Sequence, residues 1–369
     1  MASSTSRKAV RGIAFGVVAG AVAFAIADAV RPRPGPARFV DWDAVAARAK
    51  ARLPLEPILD SKRRRELAAD YNRLAAEVEP HFLAAVGGLP EGVRMPAFEA
   101  LDRHGWVDLN VGILQDALAP VMARQERFTN SRALETGRAL TDRYVGLILG
   151  FLSKRVLGQY DPQLLVSEPA AAPGLYLVEP NIRDWEEEAD LPGEALRRWL
   201  ILHEMTHAWQ FAAHPWLRDH MNGMLQEVLG PALDSSTGTL EKFLSITVGS
   251  SRPWSVIGRV QSTMSLIEGY SNLVMDTVGT DQLPEFTRLE EAYQQRSGQK
   301  TVFELAFWKL TGLEMKLQQY VVGERFCREV HEERGMEFLN RAWERAENLP
   351  SAEELRDAQA WINRMKAIA

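Results

Sequence analysis

Apolar residues recur three and four positions apart along most of this chain, the spacing of helices that bury one face. Residues 62–85 read as one long amphipathic helix, broken by Gly87-Gly88-Leu89-Pro90. Residues 41–50 read as a shorter helix with Asp41 near its start, where a negative charge suits the helix dipole. Residues 134–156 carry an apolar stripe of Ala139, Tyr144, Leu147, Ile148, Phe151 and Leu152 that stops at Gly158. A break at 249–253 precedes another long helix, expected over 254–278. In the final third, Leu313, Leu317, Tyr320, Val321, Phe326 and Val330 fall near helical spacing. Ser351 with Glu354 three positions later is the start signal of a last short helix. Residues 98–117 have a mixed pattern, read as loop running into helix, and 181–193 read as loop. Two short runs, 163–167 and 175–179, look strand-like and suit a hairpin or small sheet. The expected fold is mainly α with a small β element, an α+β arrangement, with residues 39–369 as one domain.

One helix, over 194–211, is apolar on nearly every side and yet contains His203-Glu204-Met205-Thr206-His207. Residues four apart share a helix face, so His203 and His207 can direct two imidazoles at one metal ion. Glu204 lies one position round, where a carboxylate can take a proton from an attacking water. This HExxH spacing is that of zinc metallopeptidases. The bland alternative is a helix with two core histidines and an unrelated Glu. Against it, four of the seven His (His203, His207, His214, His220) fall in one short stretch, and buried imidazoles need partners.

Composition narrows the chemistry. With 46% hydrophobic and 25% charged residues the chain can build a core without staples. The formal charge of −6, with no basic stripe interleaved with aromatics, argues against a nucleic-acid partner. The single Cys327 excludes an intramolecular disulfide and a Cys-rich zinc site, so a metal must use His and carboxylates. No phosphate-cradling glycine loop is present. Residues 1–38 stand apart: Arg7, Lys8 and Arg11 precede a run over 12–30 with no charge until Asp28, followed by an Arg/Pro linker. A membrane anchor, a secretory signal and an apolar helix docked on the protein itself all fit this segment. The expectation leans slightly toward a single-pass anchor over a cytoplasmic protein, with membrane contact through 12–30.

Catalytic zinc usually takes three protein ligands and one water. The metzincin extension would need Gly at 210 and His at 213, where the chain has Gln210 and Ala213. Glu268 is the best third ligand: it stands in an apolar run, where a lone carboxylate is costly to bury, and Gly269 beside it allows close backbone approach. Asn272 and Asp276 are candidates to orient a ligand, and Glu227 and Asp219 are weaker ligand candidates. Tyr270, His220 and Arg218 could each steady an oxyanion.

With those residues in view, the chain resembles the actinobacterial zincin-like metallopeptidases of uncharacterised substrate. Some of these carry a label linking them to biosynthesis of a deazaflavin cofactor. The resemblance rests on Val40-Asp-Trp-Asp43, Arg155 through Asp161, His203 through Phe211 running into Pro215 through Asp219, Glu268-Gly-Tyr270 with Val274-Met-Asp276, Leu317 through Tyr320 with Gly323 through Phe326, and Glu347-Asn-Leu-Pro350. It implies a zincin-like fold and one zinc ion on His203 and His207, with Glu204 as catalytic acid/base. The expected function is peptide-bond hydrolysis of gluzincin type on a peptide or protein substrate, with catalytic residues Glu204, Tyr270 and His220 and metal ligands His203, His207 and Glu268. The alternative is a non-catalytic, zinc-stabilised helical scaffold, possibly membrane-tethered, with a fourth protein donor such as His214 or His220.

Overall fold

The computed structural model describes residues 40–125, 132–166, 174–234, 251–283, 285–298 and 314–368. In chain order the helices are α1 (Trp42–Lys50), α2 (Ser61–Val86), α3 (Arg103–Gln125), α4 (Arg132–Leu152), α5 (Glu179–Glu188), α6 (Gly193–Ala212), α7 (Pro215–Asp234), α8 (Ser251–Gln282), α9 (Phe286–Gly298), α10 (Glu314–Asn340) and α11 (Ala358–Ala367). Strands β1 (Phe98–Leu101), β2 (Gly158–Asp161) and β3 (Gly174–Val178) form one sheet in the order β1-β3-β2. β1 runs parallel to β3, with Phe98 opposite Leu175, and β2 runs antiparallel to it, with Tyr160 opposite Leu175. The protein is thus mainly α with a small sheet.

Local chemistry sets the ends of these elements. The Asp41 carboxylate accepts from Ala44 N–H at the start of α1, and Asp60 does the same for Arg63 N–H at the start of α2. Gly87, at φ 87°, ends α2 in the left-handed conformation that glycine adopts without strain. Pro215 opens α7, where its missing N–H costs nothing. Ser351 and Glu354 exchange their expected reciprocal hydrogen bonds, at 2.9 and 3.2 Å. They close a turn rather than begin a helix; α11 starts later, capped by Asp357.

The fold around the sheet departs from the sequence reading in three places. Its first hairpin strand lies at Gly158–Asp161, not 163–167, because Gln163 (φ 53°) and Leu165 (φ 62°) are left-handed and cannot extend. Residues 98–101 form β1, and 179–188 form α5 with Pro180 in its first turn, where loop was expected. The apolar run at 12–30 lies outside the described residues. Among the described residues no helix is long and apolar enough to cross a membrane, which gives the lean toward anchoring no support.

α6 is the buried axis. Its apolar residues from Ala195 to Phe211 pack against α2, α7, α8 and the sheet, which is why its sequence shows no polar face. Trp209 also donates its indole N–H to Gly88 O, tying α6 to the turn after α2 at 2.7 Å. α8 is held in turn by α10 through a glycine crossing. A Cβ on Gly269 would strike the backbone of Gly323, and one on Gly323 would strike the Ser265 carbonyl. Gly323→Ala should therefore lower stability by about 3 kcal/mol or more, seen as a fall in thermal midpoint. Gly223→Ala on α7, where a Cβ meets nothing, should be neutral or stabilising. Equal effects of the two would contradict this packing.

Candidate metal centre

The N-terminal turn of α6 is fixed before the motif begins. Arg197 donates to Glu179 at 2.6 Å and to Glu186 at 2.7 Å, both on α5, and Tyr71 on α2 donates its hydroxyl to Glu179 at 2.5 Å. These charges, with Glu179 buried and Arg197 and Glu186 partly so, are mutually paired, so the helix start is held to two neighbouring elements. Two turns further on, His203 and His207 face α8.

The two imidazoles meet Glu268 of α8. His203 Nε2 and His207 Nε2 are 3.2 Å apart, and Glu268 Oε2 is 3.7 Å from His207 Nε2. Ligand atoms of the three residues all lie within 4.8 Å of one another. The other ring nitrogens are engaged elsewhere: His203 Nδ1 by Ser271 Oγ at 3.0 Å and His207 Nδ1 by Gln210 Oε1 at 3.0 Å. Two imidazole nitrogens and one carboxylate oxygen form the donor set of many catalytic zinc sites. A tetrahedral ion about 2 Å from each of two nitrogens would hold them about 3.3 Å apart, close to the separation seen. The residues present therefore fit a zinc ion.

Glu204 is buried but belongs to a different contact set. It points to the edge of β2, where a Cβ on Gly158 would lie 2.6 Å from its Oε1 and 2.9 Å from its Cγ. Only glycine leaves that space. Tyr160 N–H donates to the Glu204 carboxylate, so Tyr160 turns its backbone away from β3, and Gly158, two residues back, faces the same way. Burial first, and the charge of Glu268 second, push the Glu204 carboxyl up to about 8, against the pull of the Tyr160 N–H.

Other residues singled out from sequence sit elsewhere. Tyr270 is two positions after Glu268, about 200° round the helix, and faces the core. It stacks on Trp209 at 5.5 Å and donates its hydroxyl to Asn340 at 2.7 Å. His220 lies on α7 with its ring 6.1 Å from Trp216; burial and Arg259 lower its pKa while Glu347 opposes them. His214 packs between Trp209 and Trp343, with Nδ1 against Gln210 O. Arg218 donates to the carbonyls of Gln163 and Val166, holding the left-handed turn after β2. Glu227 accepts from Arg259, Asn272 donates to Glu324, and Asp276 accepts from Arg328. Ser271 and Gln210 thus contact the histidines. Both were findable as residues three after Glu268 and His207, respectively.

A family model described as "Zincin-like metallopeptidase" matches residues 40–362. No curated protein matches the chain. A crystal structure of a candidate hydrolase with a novel fold from Chloroflexus aurantiacus is similar at 34% identity and a TM-score of 0.65, covering 89% of this chain and 99% of that one.

The Glu204 carboxyl sets a pH test. Its pKa is raised on folding, from an ordinary 4.5 to about 8. Its contribution to stability is therefore fully present below 4.5 and is lost as pH rises through about 8, because the unfolded chain releases the proton first. In chelator-treated protein the thermal midpoint should fall more steeply with rising pH across that window for the wild type than for Glu204→Gln. Parallel curves would contradict the assignment.

Proposed function

This chain belongs to the zincin-like metallopeptidase family, and from that premise we propose that it is a zinc-dependent peptidase of gluzincin type. His203, His207 and Glu268 hold one zinc ion, and Glu204 is the general base. One observation carries this reading: two buried carboxylates have separate surroundings, Glu268 against the imidazoles and Glu204 against the edge of β2. Bound zinc supplies Lewis acidity, polarising the scissile carbonyl and bringing the pKa of water toward neutrality. Glu204 takes the proton of the attacking water and passes it to the leaving amine. Gly158 leaves the space that Glu204 fills, and Tyr160 N–H orients its carboxylate.

The proposed substrate is a peptide or protein whose scissile bond reaches the His203, His207 and Glu268 cluster beside that base. Tyr270 has its hydroxyl committed to Asn340, so it is not retained as the oxyanion donor, and His220, half-buried beside Trp216, remains a candidate for that role. The scaffold alternative needs a fourth protein donor. Among the described residues the cluster has three members, and His214 and His220 are not among them.

Glu204→Gln should retain zinc, measured by elemental analysis of natively purified protein, and lose peptide hydrolysis by about 100-fold or more. Glu268→Gln should lose both. Gly158→Ala should keep zinc and lose most of the hydrolysis, because its methyl group displaces Glu204. Wild-type protein that carries no zinc, or Glu204→Gln that hydrolyses at the wild-type rate, would end this reading.

A further inference from the structure

We propose that Gln210 is the positioning residue that joins the two halves of the metal centre, fixing which nitrogen of His207 is free for a metal and tying α6 to α8 at Glu268. The inference rests on the proposed metal site. Gln210 is fully buried on α6, one turn after His207. Its Nε2 donates to the carbonyl of Ile267 at 2.9 Å. A carbonyl only accepts, so the amide cannot be turned round, and its Oε1 is the atom facing His207 Nδ1 at 3.0 Å. An amide oxygen also only accepts, so Nδ1 must carry the hydrogen. A neutral imidazole has one N–H, which leaves the lone pair on Nε2, the atom that faces His203 and Glu268.

Ser271 cannot do the same for His203, because a hydroxyl both donates and accepts and so selects neither tautomer. The partner of the Gln210 amide adds a second role. Ile267 immediately precedes Glu268, so one side chain touches a ligand on α6 and the backbone next to a ligand on α8. Gln210 also stands at the position where a metzincin would have glycine, so the departure from that pattern is itself the useful group.

The test uses the full chain, stripped of metal by chelator and labelled with 15N at histidine. Long-range 1H–15N NMR should show His207 protonated at Nδ1 and bare at Nε2 in the wild type. Gln210→Met, close in volume, should lose that pattern and weaken zinc about 10- to 100-fold in chelator competition. Gln210→Glu, which keeps an acceptor against His207, should retain the pattern. Wild-type His207 protonated at Nε2 would overturn the inference whether or not the variants fold, and so would unchanged zinc affinity in Gln210→Met. A wild type that binds no zinc would sink the peptidase reading, while the tautomer would still decide what Gln210 does to His207.

Discussion

A carboxylate taken out of water is tolerated only where something compensates its charge, and Glu268, only 3% exposed, is brought against the imidazoles of His203 and His207. That apposition of α8 and α6 is the constraint the rest of the fold serves. Neither helix could slide by one turn, about 5 Å, without separating the donors. α6 is pinned at its start by Arg197 between Glu179 and Glu186 and near its end by Trp209 on Gly88. α8 is pinned by the Gly269–Gly323 crossing with α10, which admits no side chain between the backbones. Gln210 spans the two helices directly.

The small sheet has a chemical task out of proportion to its size. β2 is an edge strand, and its outward backbone lies against the motif helix. Gly158 and the N–H of Tyr160 therefore determine where Glu204 can point. Arg218 and Asn222 on α7 hold the left-handed turn that follows β2, so the strand that supports Glu204 is held by β3 along its length and by α7 at its end. The site is a candidate metal-binding cluster between two helices, with Glu204 held separately by a strand. That division keeps two nearby carboxylates from competing for one role.

Much of this was legible in the residues. The all-round apolar character of residues 194–211 marked a buried helix, and the HExxH spacing within it marked two imidazoles on one face. Glu268 stood out as a lone carboxylate in an apolar run, with Gly269 marking the close backbone approach now seen at Gly323. What was missed has physical reasons. Phe98–Leu101 is too short to show a period, and it becomes a strand only by pairing with β3. Gln163 and Leu165 sit in a β-favouring run but are held left-handed where Arg218 takes the Gln163 carbonyl, a tertiary effect no local pattern records. Helical spacing alone puts both Ser271 and Asn272, three and four residues after Glu268, near its face, and only the packing of α8 on α6 brings Ser271 to His203. Tyr270 shared a short motif with Glu268 but not a helix face. The family match carries the resemblance to the zincin-like metallopeptidases over residues 40–362, the similar crystal structure is that of a candidate hydrolase, and neither carries the actinobacterial or deazaflavin associations.

The account turns on whether one metal ion sits where α6 and α8 converge. Crystals of natively purified protein, grown without chelator and measured on both sides of the zinc absorption edge, test this directly. The account predicts a single anomalous peak about 2.0–2.2 Å from His203 Nε2, His207 Nε2 and a Glu268 oxygen, with Glu204 outside the ligand set. A peak elsewhere, a fourth protein ligand, or a cluster that stays empty in zinc-saturated crystals would contradict it.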